Sequence, residues 1–289
     1  MPTRSRTSFL RVSDMDNHPQ PGMKKFDASR LAVATGGAGD PALFVHGFGS
    51  NKLIWREVCE GLRDVFSFHA IDLPGCGESP APKGFRYTLE WFADVLTDFI
   101  IMKDLKNLRL VGASLGGTII LLALLRNAHE LASRVRALCL IGAPAYPQEF
   151  PFGMEVLRGP LGPLALDPPF FLLLPPPAAG LLSAVYDRSV GRRPVRKAMI
   201  KTARLIDLKR LARYVPRLKT IDLPTLLIWG REDDVVPVRL GRCLARDLPN
   251  ARLIVFKQCG HSPHQECPDK VIAALKKFER DCALAPHMP

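Results

Sequence analysis

Short runs of apolar residues alternate along the chain with longer amphipathic stretches. The apolar runs cover residues 42–46, 66–71, 108–112, 135–141, 224–229 and 251–256. Several of them are continuously hydrophobic, which is typical of strands that are covered on both faces in a parallel sheet. Helices are predicted between them at 53–62, 88–102, 115–127, 238–248 and 269–281. Strands that alternate with helices predict an α/β fold with a doubly wound, mostly parallel sheet.

The alternation stops at Pro144 and resumes near Leu223. The interval contains a proline-rich apolar stretch at 160–177 and then a basic helical stretch at about 181–214. We interpret this interval as a helical insertion that forms a cap, or lid, over the carboxyl edge of the sheet. Ligands bind at that edge in folds of this class, so the cap is expected to help form the binding site.

Length and composition agree with this arrangement and exclude several others. The chain has 289 residues, of which 47% are hydrophobic and 24% are charged. A chain of this kind can bury a sizeable core and is not wholly disordered, collagenous or a coiled coil. We expect an α/β core at 26–144 and 216–283, a cap at 145–215, a polar, flexible leader at 1–25 and a tail at 284–289.

The charge balance is strongly basic, with 40 Lys and Arg against 28 Asp and Glu and a net charge of +12. Such a balance raises nucleic acid or an anionic surface as a partner. The positive charges do not form one tract with interleaved aromatic residues, so we expect no nucleic-acid partner. Many of them lie at 188–219 and are most simply a solvated helix face. The alternative is weak attraction of the basic cap to an anionic substrate or to membrane headgroups.

Cysteine usage favours a reducing, cytoplasmic location. The seven cysteines are odd in number, and Cys139 lies inside an apolar strand, which does not suggest a secreted disulfide framework. No apolar stretch follows the basic residues near the start of the sequence, so we expect no signal peptide. The most apolar window, at 161–185, is interrupted by three consecutive prolines, which disfavours a membrane-spanning helix.

A serine follows the third predicted strand in a Gly-x-Ser-x-Gly motif. Residues 112–116 are Gly-Ala-Ser-Leu-Gly, and an apolar helix comes next. Small residues around Ser114 permit a sharp turn that projects the hydroxyl above the sheet at the amino end of the helix. The alternative is an ordinary glycine-rich turn or a phosphate cradle, although the spacing matches neither common phosphate motif. Ser114 is therefore our candidate nucleophile.

A serine nucleophile needs a base to take its proton and an acid to orient that base. Both follow in the chain order Ser, Asp, His. Asp233 comes after the fifth predicted strand, and His261 comes after the sixth. The neighbouring Asp234 is the alternative acid, and His264 is the alternative base. Either aspartate could instead stabilise the amino end of the next helix.

Two backbone N–H groups are candidates for an oxyanion hole. Residues 46–49 are His-Gly-Phe-Gly and follow the first core strand. The glycines leave the Phe48 N–H free to face a substrate, and the Leu115 N–H supplies a second donor at the start of a helix. Losing one such donor typically slows catalysis by about 100- to 1000-fold. The alternative is a turn that only connects strand and helix, in which His46 packs and forms hydrogen bonds.

Two further groups of residues are candidate ligands for a substrate or a metal. Phe171 and Leu172 lie in the apolar part of the cap and are weak candidates for a substrate-binding wall. Packing of the cap onto the core is the simpler and compatible interpretation. Four residues of zinc-ligand type share one short loop: Cys259, His261, His264 and Cys267. They are too close together along the chain to surround a tetrahedral ion, so we expect no metal. We also expect no organic cofactor, because a serine mechanism requires none.

These motifs resemble the α/β-hydrolase superfamily over about residues 26–283. The resemblance rests on 46–49, the D-x-P-G-x-G-x-S loop at 72–79, 112–116, Gly230 with Asp233 and Pro237, and Gly260-His261 followed by Glu266 and Pro268. It implies that Ser114 is the nucleophile, Asp233 the acid and His261 the base. It also implies that Phe48 and Leu115 are the oxyanion donors and that 145–215 is the cap domain of the family.

Subgroups of that superfamily differ at the nucleophile. Haloalkane dehalogenases and epoxide hydrolases carry aspartate where this chain has Ser114, which disfavours both. Meta-cleavage C–C hydrolases usually carry asparagine where this chain has Ala113. The resemblance therefore implies a serine-nucleophile, esterase-like member with a cap.

We accordingly expect a hydrolase that cleaves a carboxylic ester of a fairly apolar small molecule through an acyl-enzyme. Two alternatives use the same residues: C–C bond hydrolysis of the meta-cleavage type, and thioester hydrolysis. An alternative of another class is a ligand-binding receptor or sensor that retains the residues but turns over little substrate. The sequence leaves the oligomeric state and the identity of the substrate open.

Overall fold

The computed structural model describes residues 25–149, 152–166 and 193–284. Within these ranges, seven strands form one sheet in the order β1-β3-β2-β4-β5-β6-β7. Their bounds are Val33–Gly36 (β1), Asp40–Val45 (β2), Phe66–Ile71 (β3), Leu108–Ala113 (β4), Val135–Ile141 (β5), Thr225–Gly230 (β6) and Ala251–Phe256 (β7). Strand β1 is antiparallel to β3, and every other neighbouring pair is parallel. The predicted doubly wound, mostly parallel sheet is confirmed.

The α-helices of the described ranges connect these strands. They are Arg56–Gly61 (α1), Leu89–Met102 (α2), Leu115–Arg126 (α3), Ala128–Leu131 (α4), Phe152–Arg158 (α5), Gly162–Ala165 (α6), Arg193–Leu205 (α7), Val238–Asp247 (α8), Pro263–Glu266 (α9) and Pro268–Leu284 (α10). Short 3-10 helices lie at Ala28–Arg30, Lys52–Trp55, Leu208–Arg213 and Val215–Thr220. Among the helices described, none combines the length and apolar character of a membrane span.

The edge strand β1 has no counterpart among the strands predicted from the sequence. It has four residues and pairs with β3 from Val33 opposite Ile71 to Gly36 opposite Phe68. Four residues are too few for a clear alternation of apolar and polar positions. Its one exposed and three half-buried residues are typical of a sheet edge, where the hydrophobic signal is weak.

The core occupies both faces of the sheet. Leu43 and Leu110 pack with α2 and α3 on one face, whereas Phe44 and Val111 pack with α1 and α10 on the other. All residues of β4 and β6 are buried, which explains why these strands are continuously hydrophobic. Helix α3 is buried from Leu115 to Leu125, so it is held firmly beside β4.

Helices α5, α6 and α7 lie between β5 and β6 in the chain and so form a helical insertion in the α/β core. They contribute a smaller apolar cluster: Leu157, Leu166, Met199, Ile200 and Ala203. Phe48, from the loop after β2, packs against both this cluster and the main core. The insertion therefore lies against the loop in which the sequence places an oxyanion donor. The predicted wall residues Phe171 and Leu172, most of the leader and the last five residues lie outside the described ranges.

Candidate active site

Ser114 lies at a sharp turn between β4 and α3. Its backbone has φ +49° and ψ −122°, a left-handed conformation that costs a residue other than glycine of order 1–3 kcal/mol. A Cβ on Gly116 would lie 2.2 Å from the carbonyl oxygen of Val45, so only glycine permits this close contact between α3 and β2. The Ser114 N–H donates to the carbonyl of Ile141 at 2.8 Å. These contacts fix the turn and leave the side chain half-exposed at the carboxyl edge of the sheet.

A continuous chain of hydrogen bonds joins Ser114, His261 and Asp233. The Nε2 atom of His261 is 2.9 Å from the Oγ atom of Ser114, and Nδ1 is 2.8 Å from Oδ2 of Asp233. The Asp233 side chain is fully buried, and its Oδ1 atom accepts the N–H groups of Val235 and Val236. With the carboxylate ionised, Nδ1 of His261 carries the proton and Nε2 can accept the serine proton. The arrangement can therefore transfer a proton from Ser114 to His261.

The alternative acid and base lie elsewhere. Asp234 is exposed, whereas the carboxylate that contacts His261 belongs to Asp233. His264 is 3% exposed and its ring lies over Trp55, with ring centroids 4.7 Å apart. Burial lowers the pKa of His264 to about 3, and the proximity of the His261 ring acts in the same direction. Of the two histidines, His261 is the one in contact with Ser114.

Two glutamates hold the histidine loop, residues 259–262. The Glu266 carboxylate accepts the N–H of Gly260 at 2.6 Å and the N–H of Ser262 at 2.8 Å, one on each side of His261. Glu232, beside Asp233, accepts the N–H of Cys259 at 3.0 Å and donates its own N–H to the Cys259 carbonyl. The Cys259 N–H lowers the pKa of Glu232, which stays ionised. These bonds connect the loop that carries the imidazole to the loop that carries the carboxylate.

The sequence motifs alone do not assign these contacts to Glu266 and Glu232. Glu266 belongs to the motif that follows His261, and its position there was the one available signal. Glu232 acts through a contact with Cys259, 27 positions away in the chain. The sequence pattern gives no indication of that contact, so only the folded structure shows it.

The loop at 46–49 passes directly beside Ser114. A Cβ on Gly47 would lie 3.1 Å from the Cβ of Ser114, so glycine permits the close approach. Leu115 is the first residue of α3, and the first N–H groups of a helix have no carbonyl partner within the helix. The loop and the helix start therefore flank the serine from two sides. The side chain of Phe48 extends to the cluster formed by the insertion.

The side chain of His46 fixes the loop at 46–49 through two hydrogen bonds. The buried imidazole accepts the N–H of Leu73 at Nε2, 3.0 Å away, and Nδ1 lies 2.7 Å from the Gly47 carbonyl oxygen. Because burial lowers the pKa of His46, the ring is neutral, with its proton on Nδ1 donated to Gly47. His46 thus packs and forms hydrogen bonds within the turn. It connects the loop after β2 to the loop after β3.

A buried carboxylate organises the loop after β3. The side chain of Asp72 is fully buried. Its carboxylate accepts hydrogen bonds from Lys52 N–H at 2.6 Å, Lys52 Nζ at 2.7 Å and Glu78 N–H at 2.9 Å. Its backbone carbonyl accepts a hydrogen bond from Ser79 Oγ at 2.6 Å. Lys52 also forms an ion pair with Glu78. A buried charge is tolerated when it is paired and hydrogen-bonded in this way. The D-x-P-G-x-G-x-S segment is therefore a rigid support for His46 and the loop above it.

Three of the four zinc-type residues contact side chains outside any metal arrangement, and the fourth, His264, packs its ring against Trp55. Both ring nitrogens of His261 face Ser114 and Asp233, and the sulfurs of Cys259 and Cys267 face each other. Over the described ranges, no group of three or more His, Cys, Asp or Glu side chains is arranged to hold a metal ion.

Comparisons with known proteins agree with this architecture. Residues 42–274 match the Alpha/beta hydrolase family. The chain is 32% identical over 253 residues to the uncharacterised hydrolase YugF of Bacillus subtilis, covering 81% of this chain and 88% of that protein. It is 30% identical over 269 residues to haloalkane dehalogenase 2 of Mycobacterium tuberculosis, covering 86% and 92%. A meta-cleavage product hydrolase from Pseudomonas fluorescens IP01 shares the fold, with a TM-score of 0.69 at 23% identity, covering 87% of this chain and 94% of that one.

Proposed function

Because the chain belongs to the alpha/beta hydrolase family, we propose that it is a serine hydrolase that cleaves carboxylic esters of fairly apolar small molecules. The observation that carries this proposal is the hydrogen-bonded chain from Asp233 through His261 to Ser114, with distances of 2.8 and 2.9 Å. In it the hydroxyl contacts a base whose other nitrogen contacts a buried carboxylate. This is the arrangement that activates a serine for attack on a carbonyl carbon.

In the first half of the reaction, Nε2 of His261 takes the proton of Ser114 while Oγ attacks the ester carbonyl carbon. The carbonyl π electrons move to oxygen, and the N–H groups of Phe48 and Leu115 stabilise the oxyanion. Asp233 stabilises the imidazolium that forms. His261 then donates its proton to the leaving alcohol as the C–O bond breaks, which leaves an acyl group on Ser114.

In the second half, water replaces the alcohol. His261 takes a proton from the water as its oxygen attacks the acyl carbon, and the same two N–H groups stabilise the second oxyanion. The bond to Ser114 then breaks, the carboxylic acid leaves, and the proton on His261 returns to the serine oxygen. Each proton in this cycle is carried by His261, and the steps use only residues of this chain and water.

We assign the apolar part of the substrate to the space between the core and the proposed cap, residues 145–215. Two observations support this position. Helices α5–α7 form an apolar cluster that Phe48 contacts, and Phe48 belongs to the loop beside Ser114. A mostly apolar pocket with a few fixed polar groups is typical of small-molecule sites. The roles of Phe171 and Leu172 in this wall remain predictions from the sequence.

The nucleophile favours ester hydrolysis over the dehalogenase activity for which one relative is named. Enzymes of that kind carry aspartate at the nucleophile position, whereas this chain carries Ser114. A serine hydroxyl in contact with a histidine base suits acyl transfer, in which the attacked atom is a carbonyl carbon.

The proposal is tested by a series of p-nitrophenyl esters of increasing acyl length, with wild type and Ser114→Ala compared. We expect a burst of p-nitrophenol followed by steady turnover from wild type, and a kcat lower by several orders of magnitude from the variant with its fold intact. Esterase activity retained in Ser114→Ala would overturn the proposal. Hydrolysis of thioesters or of vinylogous diketones, with esters left intact, would favour the other bond types. Tight ligand binding without turnover would favour a sensor.

A further inference from the structure

Two cysteines lie on either side of His261 along the chain and face each other. The Sγ atoms of Cys259 and Cys267 are 3.1 Å apart. Cys259 directly precedes Gly260, and Cys267 directly follows α9, so His261 lies in the segment between them. All seven cysteines of the chain are free thiols and lie in its described part. The mechanism above gives this pair no role.

We propose that Cys259 and Cys267 form a thiol–disulfide modification site, oxidised by a low-molecular-weight disulfide of the glutathione type. The product is an internal disulfide that encloses residues 260–266. Its formation depends only on the two sulfurs. Its consequence for His261 rests on the proposed function, because it concerns the loop that holds the base.

The exposure of the two cysteine residues sets the order of the steps. Cys259 is 2% exposed, whereas Cys267 is half-buried and so can be reached by a small disulfide. Burial, together with the neighbouring Cys267 and Glu266, raises the pKa of the Cys259 thiol. Since the thiolate is the attacking species in this exchange, Cys267 reacts first.

The exchange balances in two displacements. The Cys267 thiolate attacks one sulfur of oxidised glutathione, the S–S bond breaks, and one glutathione thiolate leaves. The Cys259 sulfur then attacks the Cys267 sulfur of the mixed disulfide, and the second glutathione leaves with the proton of Cys259. Two cysteine thiols are thereby oxidised to one disulfide, and one glutathione disulfide is reduced to two glutathione thiols.

Bond formation requires little movement of the loop. The sulfurs must approach from 3.1 Å to about 2.0 Å. The contacts of His261 with Ser114 and Asp233 already exist in the reduced protein, as do those of Glu266 with the backbone on both sides of His261. The disulfide therefore braces a loop that is already in position. We expect oxidised protein to keep its activity and to resist heat better, because a closed loop has fewer unfolded conformations.

Peptide mapping tests the site on the full-length protein. Trypsin cuts after Lys257 and Lys270, so both cysteines lie in one peptide, residues 258–270. After incubation with oxidised glutathione and quenching with an alkylating agent, we expect this peptide without alkylation and lighter by two hydrogen atoms. Two alkylated cysteines, or a lasting glutathione adduct, would overturn the proposal. This measurement is independent of hydrolase activity, so its failure is distinguishable from failure of the proposed function.

Matched variants separate this pair from general oxidation. Cys267→Ser should not form the bridge, whereas Cys243→Ser, which removes another half-buried cysteine, should form it as wild type does. Oxidation should raise the midpoint of thermal unfolding by about 2 °C or more in wild type and Cys243→Ser. If the disulfide forms and the midpoint of thermal unfolding does not change, the predicted stabilisation of the loop is contradicted. A bridge that joins Cys259 to a different cysteine would contradict the pairing.

Discussion

At the scale of single residues, the two carboxylate oxygens of Asp233 have different hydrogen-bond partners. Oδ1 binds the N–H groups of Val235 and Val236, which fixes the side chain, and Oδ2 faces Nδ1 of His261. This division explains why an aspartate at this position can hold the imidazole in one orientation. It also means that replacing Asp233 with asparagine, which has the same shape, should change the contact with His261.

We predict that Asp233→Asn lowers kcat by roughly 10⁴-fold, because an amide NH₂ facing Nδ1 favours the tautomer that has no free Nε2 lone pair for Ser114. The measurement is steady-state ester hydrolysis, with folding checked by circular dichroism. Asp234→Asn is the matched control and should keep wild-type kcat, since Asp234 is exposed. The opposite ranking of the two variants would assign the acid to Asp234.

We expect His264 to make the free energy of unfolding depend on pH. Burial lowers its folded pKa to about 3, whereas an unfolded histidine titrates near pH 6.5. Between these values the unfolded state binds one more proton, so the free energy of unfolding falls as the pH falls below about 6.5. The contribution of this group is fully present above that pH and decreases by about 1.4 kcal/mol for each pH unit below it.

We predict that the free energy of unfolding decreases by about 2 kcal/mol less in His264→Phe than in wild type when the pH is lowered from 7 to 5. Phenylalanine preserves a ring over Trp55 and cannot be protonated. Urea denaturation at both pH values measures the difference, and His129→Phe, at an exposed histidine, is the control that should behave as wild type. An equal loss in wild type and His264→Phe would show that His264 does not cause the acid sensitivity.

At the scale of elements, the histidine loop depends on Glu266. One carboxylate accepts the N–H groups on both sides of His261, so in the proposed mechanism Glu266 is a positioning residue for the base. Glu266→Ala should lower kcat by roughly 100-fold through misplacement of the imidazole, with KM and the unfolding midpoint nearly unchanged because Glu266 is exposed.

Rescue distinguishes positioning from a general structural effect of that variant. Glu266→Gln retains one oxygen acceptor and should recover part of kcat, whereas Gln265→Ala, at the adjacent exposed position, should match wild type. A rise in KM together with a fall in stability, with kcat unaffected, would contradict the positioning role.

The basic surface of α7 and the 3-10 helices after it supports a second prediction at this scale. Exposed basic side chains include Lys197, Arg204, Arg210, Arg217 and Lys219, and some of their neighbours are paired with acidic residues, such as Lys209 with Glu149. We predict weak binding to vesicles that contain anionic lipid, falling steeply with added salt. Vesicle sedimentation measures it.

Charge reversal locates that surface. The double variant Lys197→Glu with Lys219→Glu should bind the vesicles less than the double control Lys277→Glu with Arg280→Glu, which changes the same charge on α10. Binding that is absent or insensitive to salt in wild type would show that the basic stretch is only a solvated helix face.

At the scale of the whole molecule, the sheet could be predicted because its strands are buried on both faces. The fully buried residues of β4 and β6 produce continuous apolar runs that a sequence shows directly. The edge strand Val33–Gly36 could not be predicted, since it is short and mostly half-buried. Its existence depends on pairing with β3 rather than on its own pattern.

The candidate site was predictable for a topological reason. Parallel strands bring the loops at their carboxyl ends to one edge of the sheet, so Ser114 and His261, separated by 147 positions, meet there. The supporting contacts were not predictable. Those of Lys52 with Asp72 and of Glu232 with Cys259 join different loops, and their geometry depends on how those loops pack in three dimensions.

Labelling of the intact protein with a fluorophosphonate tests the central claim most directly, because the reagent needs a serine oxygen whose proton a base removes. We predict one adduct on the tryptic peptide 110–126, which contains Ser114. It should be absent in Ser114→Ala and formed orders of magnitude more slowly in His261→Ala. An adduct at another residue, or labelling of Ser114 at the wild-type rate without His261, would contradict the account.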